Sequence, residues 1–209
     1  MVKPNALLIG TPGGGPWHPL EAVEGEFRSL LGGDFQLETA VTADRLTALD
    51  SYRLVICFAD QWETALTDDQ MAGISGFLDR GGGVLVVHNG LSYQSRPEFA
   101  SLVGKRFTGH PPYTRLTFRA VADHPVCRES DPEWALDDEP YRFESVPDCP
   151  LTVLHEYLHE GVWYPAAWVR DLPAGRLVYL MPGHTVESFL HPSYRKLLLA
   201  TARWVSSVV

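Results

Sequence analysis

Gly81-Gly82-Gly83-Val84-Leu85-Val86-Val87-His88-Asn89-Gly90 is the stretch that decides the fold. Three glycines stop whatever precedes them, and the short run of valines and leucine that follows favours extended backbone. An apolar run with no polar alternation marks a strand covered on both faces, as in a parallel sheet between layers of helices. The run ends on His-Asn-Gly, where Asn and Gly tolerate left-handed backbone and permit a sharp turn from strand to helix.

Upstream, Thr67 to Arg80 reads as a helix, with Thr67 as its cap and Gln70 three residues later to close a capping box. Leu54 to Ala59 is a strand candidate before it, Phe35 to Val41 another, and Ala6 to Gly10 the first, ending in Thr-Pro-Gly-Gly-Gly-Pro. Between the first two strands, Leu20, Val23, Phe27, Leu30 and Leu31 recur at helical spacing over Pro19 to Leu31, with Glu21, Glu24 and Glu26 towards the helix start. Alternating strands and helices predict a doubly wound, mostly parallel sheet with helices on both faces. After about residue 108 the rhythm changes to strand-like segments, Thr114 to Ala122, Leu151 to Tyr157, Pro165 to Val169 and Arg176 to Leu180, which predict added antiparallel strands. A terminal helix over Tyr194 to Val205, led in by Pro192 and Ser193, closes the chain. No repeat, low-complexity tract or linker interrupts the sequence, so residues 1–209 are expected to form one α/β domain.

The net charge of −9 and a pI near 5.3 argue against a surface built to bind a phosphate backbone, so nucleic acid is not an expected partner. The three cysteines, Cys57, Cys127 and Cys149, are odd in number and widely spaced, which fits a reducing compartment. No segment approaches the roughly 18 apolar residues of a membrane span, and the first residues lack a signal-peptide pattern. A cytoplasmic location without membrane contact is expected. A symmetric homodimer is the default assembly.

In open α/β sheets, ligands bind at the carboxyl ends of the strands. Four polar clusters fall at strand ends or in Gly/Pro-bounded loops: Trp17-His18, His88-Asn89-Gly90, Gly109-His110-Pro111 and Gly183-His184. His88 stands where a hydrolase would carry its nucleophile on an elbow raised towards solvent, and an imidazole there excludes an acyl-enzyme through Ser or Cys. His184 ends another strand, with Glu187 near enough to orient its ring. Leu136-Asp137-Asp138-Glu139-Pro140-Tyr141 reads either as a solvated acidic loop or as the source of a carboxylate for a histidine cluster, and spacing does not choose. His155 and His159 lie on a segment that alternates like a strand, so a metal pair at helical spacing is not the favoured reading. Trp17, Trp62 and Tyr93 are candidates for stacking on sugar C–H faces, or else core and rim aromatics.

Six phrases then occur in order: Gly-Gly-Gly-Val-Leu-Val-Val-His, Leu-Val-Gly-Lys-Arg-Phe-Thr-Gly-His-Pro, Asp-His-Pro-Val, Asp-Glu-Pro-Tyr, Pro-Ala-Ala-Trp-Val-Arg and Ala-Gly-Arg-Leu-Val-Tyr-Leu-Met-Pro-Gly-His. In order and spacing they resemble the ThuA-like, trehalose-utilisation family, over nearly the whole chain. The resemblance implies a flavodoxin-like three-layer sandwich related to class I glutamine amidotransferases. His88 would stand in place of their elbow cysteine, and His184 with Glu187 in place of their His-Glu pair. The loop from Asp60 to Leu66 is compact and the chain short for the family, so substrate preference is expected to differ.

The resemblance further implies an enzyme of carbohydrate utilisation, acting on trehalose or a keto-disaccharide by isomerisation, epimerisation or hydrolysis, and not an amidotransferase. Its recurrent polar positions map to His88, His110, Asp138, Glu139, Tyr141 and His184, with Gly14, Trp17 and His18 completing the crevice. The expected catalytic set is His88, His110, Glu139 and His184, with Trp17, His18, Asn89, Asp138, Tyr141 and Glu187 binding substrate. If a divalent metal takes part, imidazoles with an acid suit zinc or manganese, held by His88, His110 and His184. The alternative is a non-catalytic sugar-binding or interaction module of the same fold. A cysteine hydrolase fits poorly, because none of the three thiols follows a strand at an elbow.

Overall fold

The structure, a computed structural model, describes residues 2–13, 17–170 and 172–207. Its strands are β1 (Asn5–Gly10), β2 (Gln36–Ala40), β3 (Tyr52–Phe58), β4 (Gly83–Val87), β5 (Lys105–Gly109), β6 (Thr114–Ala120), β7 (Glu133–Asp138), β8 (Arg142–Ser145), β9 (Leu151–His159), β10 (Val162–Arg170) and β11 (Arg176–Leu180). The helices are α1 (Leu20–Leu31), α2 (Asp68–Asp79), α3 (Pro97–Val103), α4 (Pro125–Arg128), α5 (Val186–Leu190) and α6 (Pro192–Ser206).

Nine strands form one sheet in the order β2-β1-β3-β4-β11-β10-β9-β6-β7, and β5 pairs with β8 in a separate ribbon. The first five in that order are parallel, and the rest join antiparallel. The apolar run at 84–87 is β4, inside the parallel half between β3 and β11, with every residue buried, as continuous Val/Leu composition requires. Burying each of these side chains contributes about 1.5–3 kcal/mol. Helices α1, α5 and α6 pack together on one face while α2 and α3 cover the other, giving the three-layer α/β architecture. The capping box forms at α2: Gln70 N donates to Thr67 Oγ1 at 3.3 Å and Thr67 N to Gln70 Oε1 at 3.0 Å.

The antiparallel half is built on a hairpin. Glu160 and Gly161, both with positive φ (50° and 79°), turn β9 into β10, as a two-residue turn between twisted strands demands. The sequence reading has no counterpart for β5, β7 and β8 or for α3, while the strand-to-helix turn expected at His88 opens a 3-10 segment, His88–Ser95. The acidic run is not a loop in its first half: Leu136 to Asp138 completes β7, where alternate residues are buried.

Candidate active site

Adjacent parallel strands β1, β3, β4 and β11 deliver His18, Asp60, His88 and His184 from the loops at their carboxyl ends. That is where diverging loops leave a crevice in this class of sheet. Glu139 arrives from elsewhere, on the residue after β7 at the far edge of the sheet, and becomes the centre of the group.

His88 turns the chain at φ 45°, in the left-handed region, at a local strain of about 1–3 kcal/mol. Neighbouring contacts hold it there. Its Nδ1 lies 2.6 Å from Met181 O, Asn89 Nδ2 donates to Phe58 O at 3.2 Å, and Tyr179 Oη donates to His88 O at 3.3 Å. Two glycines let the turn pack: a Cβ on Gly90 would stand 1.9 Å from Cys57 O, and one on Gly183 3.0 Å from the Cβ of His88. The backbone is thus that of an elbow, but the side chain is not raised to solvent. It is fully buried, with the Tyr141 ring 4.3 Å away centroid to centroid.

Four donor atoms meet here. His18 Nε2 lies 3.0 Å from His184 Nδ1, His184 Nδ1 lies 3.1 Å from Glu139 Oε2, and His88 Nε2 lies 3.3 Å from the same oxygen. On the other side of His18, Nδ1 faces Asp60 Oδ2 at 3.3 Å. The outer oxygen of Glu139, Oε1, lies 3.5 Å from His110 Nε2, and His110 Nδ1 donates to Pro111 O at 2.9 Å.

These contacts shape the electrostatics. Burial pushes the Glu139 carboxyl up, but its close contacts with His184 and His88 outweigh it and hold the group well below the usual carboxylate range. Burial lowers His184, yet the hydrogen bond and charge of Glu139 raise it on balance. His18 is lowered, chiefly by burial, against the opposing hydrogen bond of Asp60. Burial, followed by the charges of Glu139, Asp138 and Asp60, keeps the Tyr141 phenol protonated far above its ordinary value.

Above the cluster opens a cleft of about 370 Å³ lined by Trp17, His18, Asp60, Trp62, Phe107, His110, Glu139 and Tyr141. That is at the small end of ligand pockets, roughly 300–1,000 Å³. Trp17 is 67% exposed and Trp62 36%, and Trp62 rests on Phe107 at 5.2 Å.

His88, His110, Glu139, His184, Trp17, His18 and Tyr141 therefore gather in or beneath one cleft, while other residues singled out from the sequence lie elsewhere. Asn89 is buried and braces the elbow against the end of β3. Asp138 is buried too. Its Oδ1 accepts from Glu139 N at 2.8 Å, and its Oδ2 accepts from Gly183 N at 2.9 Å and Ser188 Oγ at 2.8 Å, so it ties β7 to the loop after β11. Glu187 is exposed, and Glu139 takes the place beside His184 expected for it. Tyr93 is fully buried against Phe99, 5.5 Å away, and cannot stack on a ligand. His155, fully buried, contacts Ser130, and His159 contacts Arg142. Gly14 lies outside the described residues.

Of the three imidazoles expected to hold a metal, His88 and His184 are in the four-donor group, whereas His110 faces only the outer oxygen of Glu139 and His18 takes its place. Asp60 and Phe107 are not among the site residues expected from the sequence. Asp60 was within reach of the strand-end rule, since it directly follows Leu54 to Ala59.

The profile of a family described as Trehalose utilisation (ThuA) matches residues 19–205. Among solved structures, a ThuA-like protein of Bacteroides uniformis superposes with a TM-score of 0.77 at 21% identity, over 97% of this chain and 92% of that chain. A second, from Parabacteroides merdae, gives 0.81 at 18% identity over 98% and 91%. A glutamine amidotransferase of Thermotoga maritima gives 0.64 at 12% identity over 99% and 100%, which shows the shared fold. Comparison with curated proteins returns no match.

Proposed function

Because the chain belongs to the trehalose-utilisation (ThuA) family, we propose that it is an enzyme of carbohydrate utilisation that moves a proton on an uncharged sugar, of the trehalose or keto-disaccharide type, bound in the aromatic cleft. The observation that carries this reading is the pairing of His110 with Glu139 inside that cleft.

His110 donates through Nδ1 to Pro111 O, which leaves Nε2 as the nitrogen free to take a proton. A proton taken up there lies between the imidazole and Glu139 Oε1, 3.5 Å away. A base that can accept a proton beside a sugar carbonyl and return it elsewhere suits isomerisation or epimerisation. Trp17 and Trp62 offer apolar faces to pyranose C–H groups. No Lys or Arg lines the cleft among the described residues, and Asp60 and Glu139 add negative charge, which favours a neutral ligand over a phosphorylated one. Amidotransferase chemistry does not fit: the elbow carries an imidazole, and burial pushes the nearby Cys57 thiol up to about 12.

The test is turnover of neutral disaccharides and their keto forms, followed by NMR, with binding followed by tryptophan fluorescence. His110→Gln should lower kcat by about 10²–10⁴-fold while the thermal midpoint barely moves, since His110 is exposed at the cleft. Trp62→Ala should raise KM. Binding without product in the wild type would instead identify a sugar-binding module, and turnover undiminished in His110→Gln would refute the assignment.

A further inference from the structure

We propose that His18, His88, His184 and Glu139 form a binding site for one divalent transition-metal ion of the zinc class at the floor of the cleft. The proposal deepens the reading of the cleft as an active site, but its own test involves no sugar.

The first argument is geometric. A tetrahedral ion with bonds of about 2.0–2.1 Å holds its donors about 3.4 Å apart. Three donor separations here are 3.0, 3.1 and 3.3 Å, and all four donor atoms lie within 4.8 Å of one another.

The second argument is a count of protons. Met181 O can only accept, so His88 carries its proton on Nδ1, and the Asp60 carboxylate likewise places the proton of His18 on Nδ1. Both Nε2 atoms then present lone pairs to the cluster, opposite a carboxylate oxygen that also carries only lone pairs. His184 Nδ1 has one hydrogen at most to share between His18 and Glu139. His88 Nε2, fully buried, is left without a hydrogen-bond partner. A buried acceptor facing other acceptors is unfavourable unless a cation sits among them. The carbonyl of Met181 and the carboxylate of Asp60 are also the kind of outer partner that orients metal-binding imidazoles.

The third argument is ligand chemistry. Three imidazoles and one carboxylate suit zinc or a neighbouring first-row divalent ion, whereas calcium and magnesium prefer oxygen donors throughout. His18 and Glu139 both line the cleft, so an ion held here would meet whatever occupies it. Bound there, it would polarise a sugar carbonyl oxygen.

The experiment titrates untagged, chelator-stripped full-length chain with zinc alone and with cobalt alone, without substrate, and measures bound metal by mass spectrometry. We expect one ion per chain and the strong visible absorption of four-coordinate cobalt. Stoichiometric binding should vanish in His184→Ala and in Glu139→Gln, and Asp60→Asn should weaken it by about 10–100-fold. His155→Gln, remote from the cluster, should bind as the wild type does. Equal affinity in wild type and His184→Ala, or a pale six-coordinate cobalt spectrum, would overturn the proposal. No metal bound by the wild type would refute this site and leave the His110 reading standing; bound metal with no turnover in the separate sugar assay would do the reverse.

Discussion

Asp138→Asn is the substitution that most directly probes how the site is held. Asp138 is fully buried and uses both oxygens: Oδ1 takes Glu139 N, and Oδ2 takes Gly183 N and Ser188 Oγ. Asparagine keeps the shape but has one acceptor oxygen and an NH2 group in place of the other. If the oxygen stays with Gly183 and Ser188, the NH2 meets Glu139 N, donor against donor; if it flips, it meets two donors. At least one buried N–H is then orphaned, at about 1–3 kcal/mol, along with the unpaired amide protons. The expected total is about 2–4 kcal/mol. For a chain of this size each kcal/mol shifts the midpoint by about 2–4 °C, so about 3 kcal/mol lowers Tm by roughly 6–12 °C.

Calorimetry and urea unfolding on the wild type, Asp138→Asn, Ser188→Ala and the double variant give the full cycle. Ser188→Ala removes one bond to a charged acceptor, at about 1.5–3 kcal/mol. In the double variant the two losses should add to less than their sum, because they share Oδ2. If Asp138→Asn stays within about 0.5 kcal/mol of wild type, or the cycle is additive, the tie between β7 and the loop after β11 is not what holds Glu139 and His184 together.

Two further outcomes follow from burial. His155 is fully buried, Ser130 Oγ donates to Cys127 O, and its own Nδ1 has no partner, so burial lowers its pKa to about 4. The unfolded chain therefore takes up a proton near pH 6.5 that the folded chain refuses until about pH 4, and stability falls as pH drops through that window by up to about 3 kcal/mol. His155→Gln, which cannot be protonated, should flatten this slope in urea unfolding at pH 7, 5.5 and 4; an unchanged slope would show that other groups set it. Among the thiols, Cys149 is partly exposed while burial pushes Cys57 up to about 12, so a thiol reagent on native protein should label Cys149 first and leave Cys57 intact until unfolding. Early labelling of Cys57, read by peptide mass spectrometry, would contradict the packing of the elbow over β3.

What was legible in the sequence was what local physics determines. The buried run at 84–87, the Thr67/Gln70 cap and the helical spacing of Leu20 to Leu31 each carry their structure within a dozen residues, and the parallel half follows from them. The short strands do not. Lys105 to Gly109 and Arg142 to Ser145 are polar and only partly covered, and are strands because they pair with each other. The same divide runs through the site. His88 and His184 were found because they follow strands, and the rule that found them applies equally to Asp60. The choice between Glu139 and Glu187 as partner of His184 was beyond reach, since it is made by a tertiary contact: Asp138 bonds Gly183 across 45 residues of sequence and brings Glu139 in with it, while Glu187 rides outward on α5. Proximity in sequence favoured Glu187, which is three residues from His184. A carboxylate supplied from the far edge of the sheet prevails because Asp138 is bonded on both oxygens, and a buried acid so satisfied can hold its neighbour among three imidazoles.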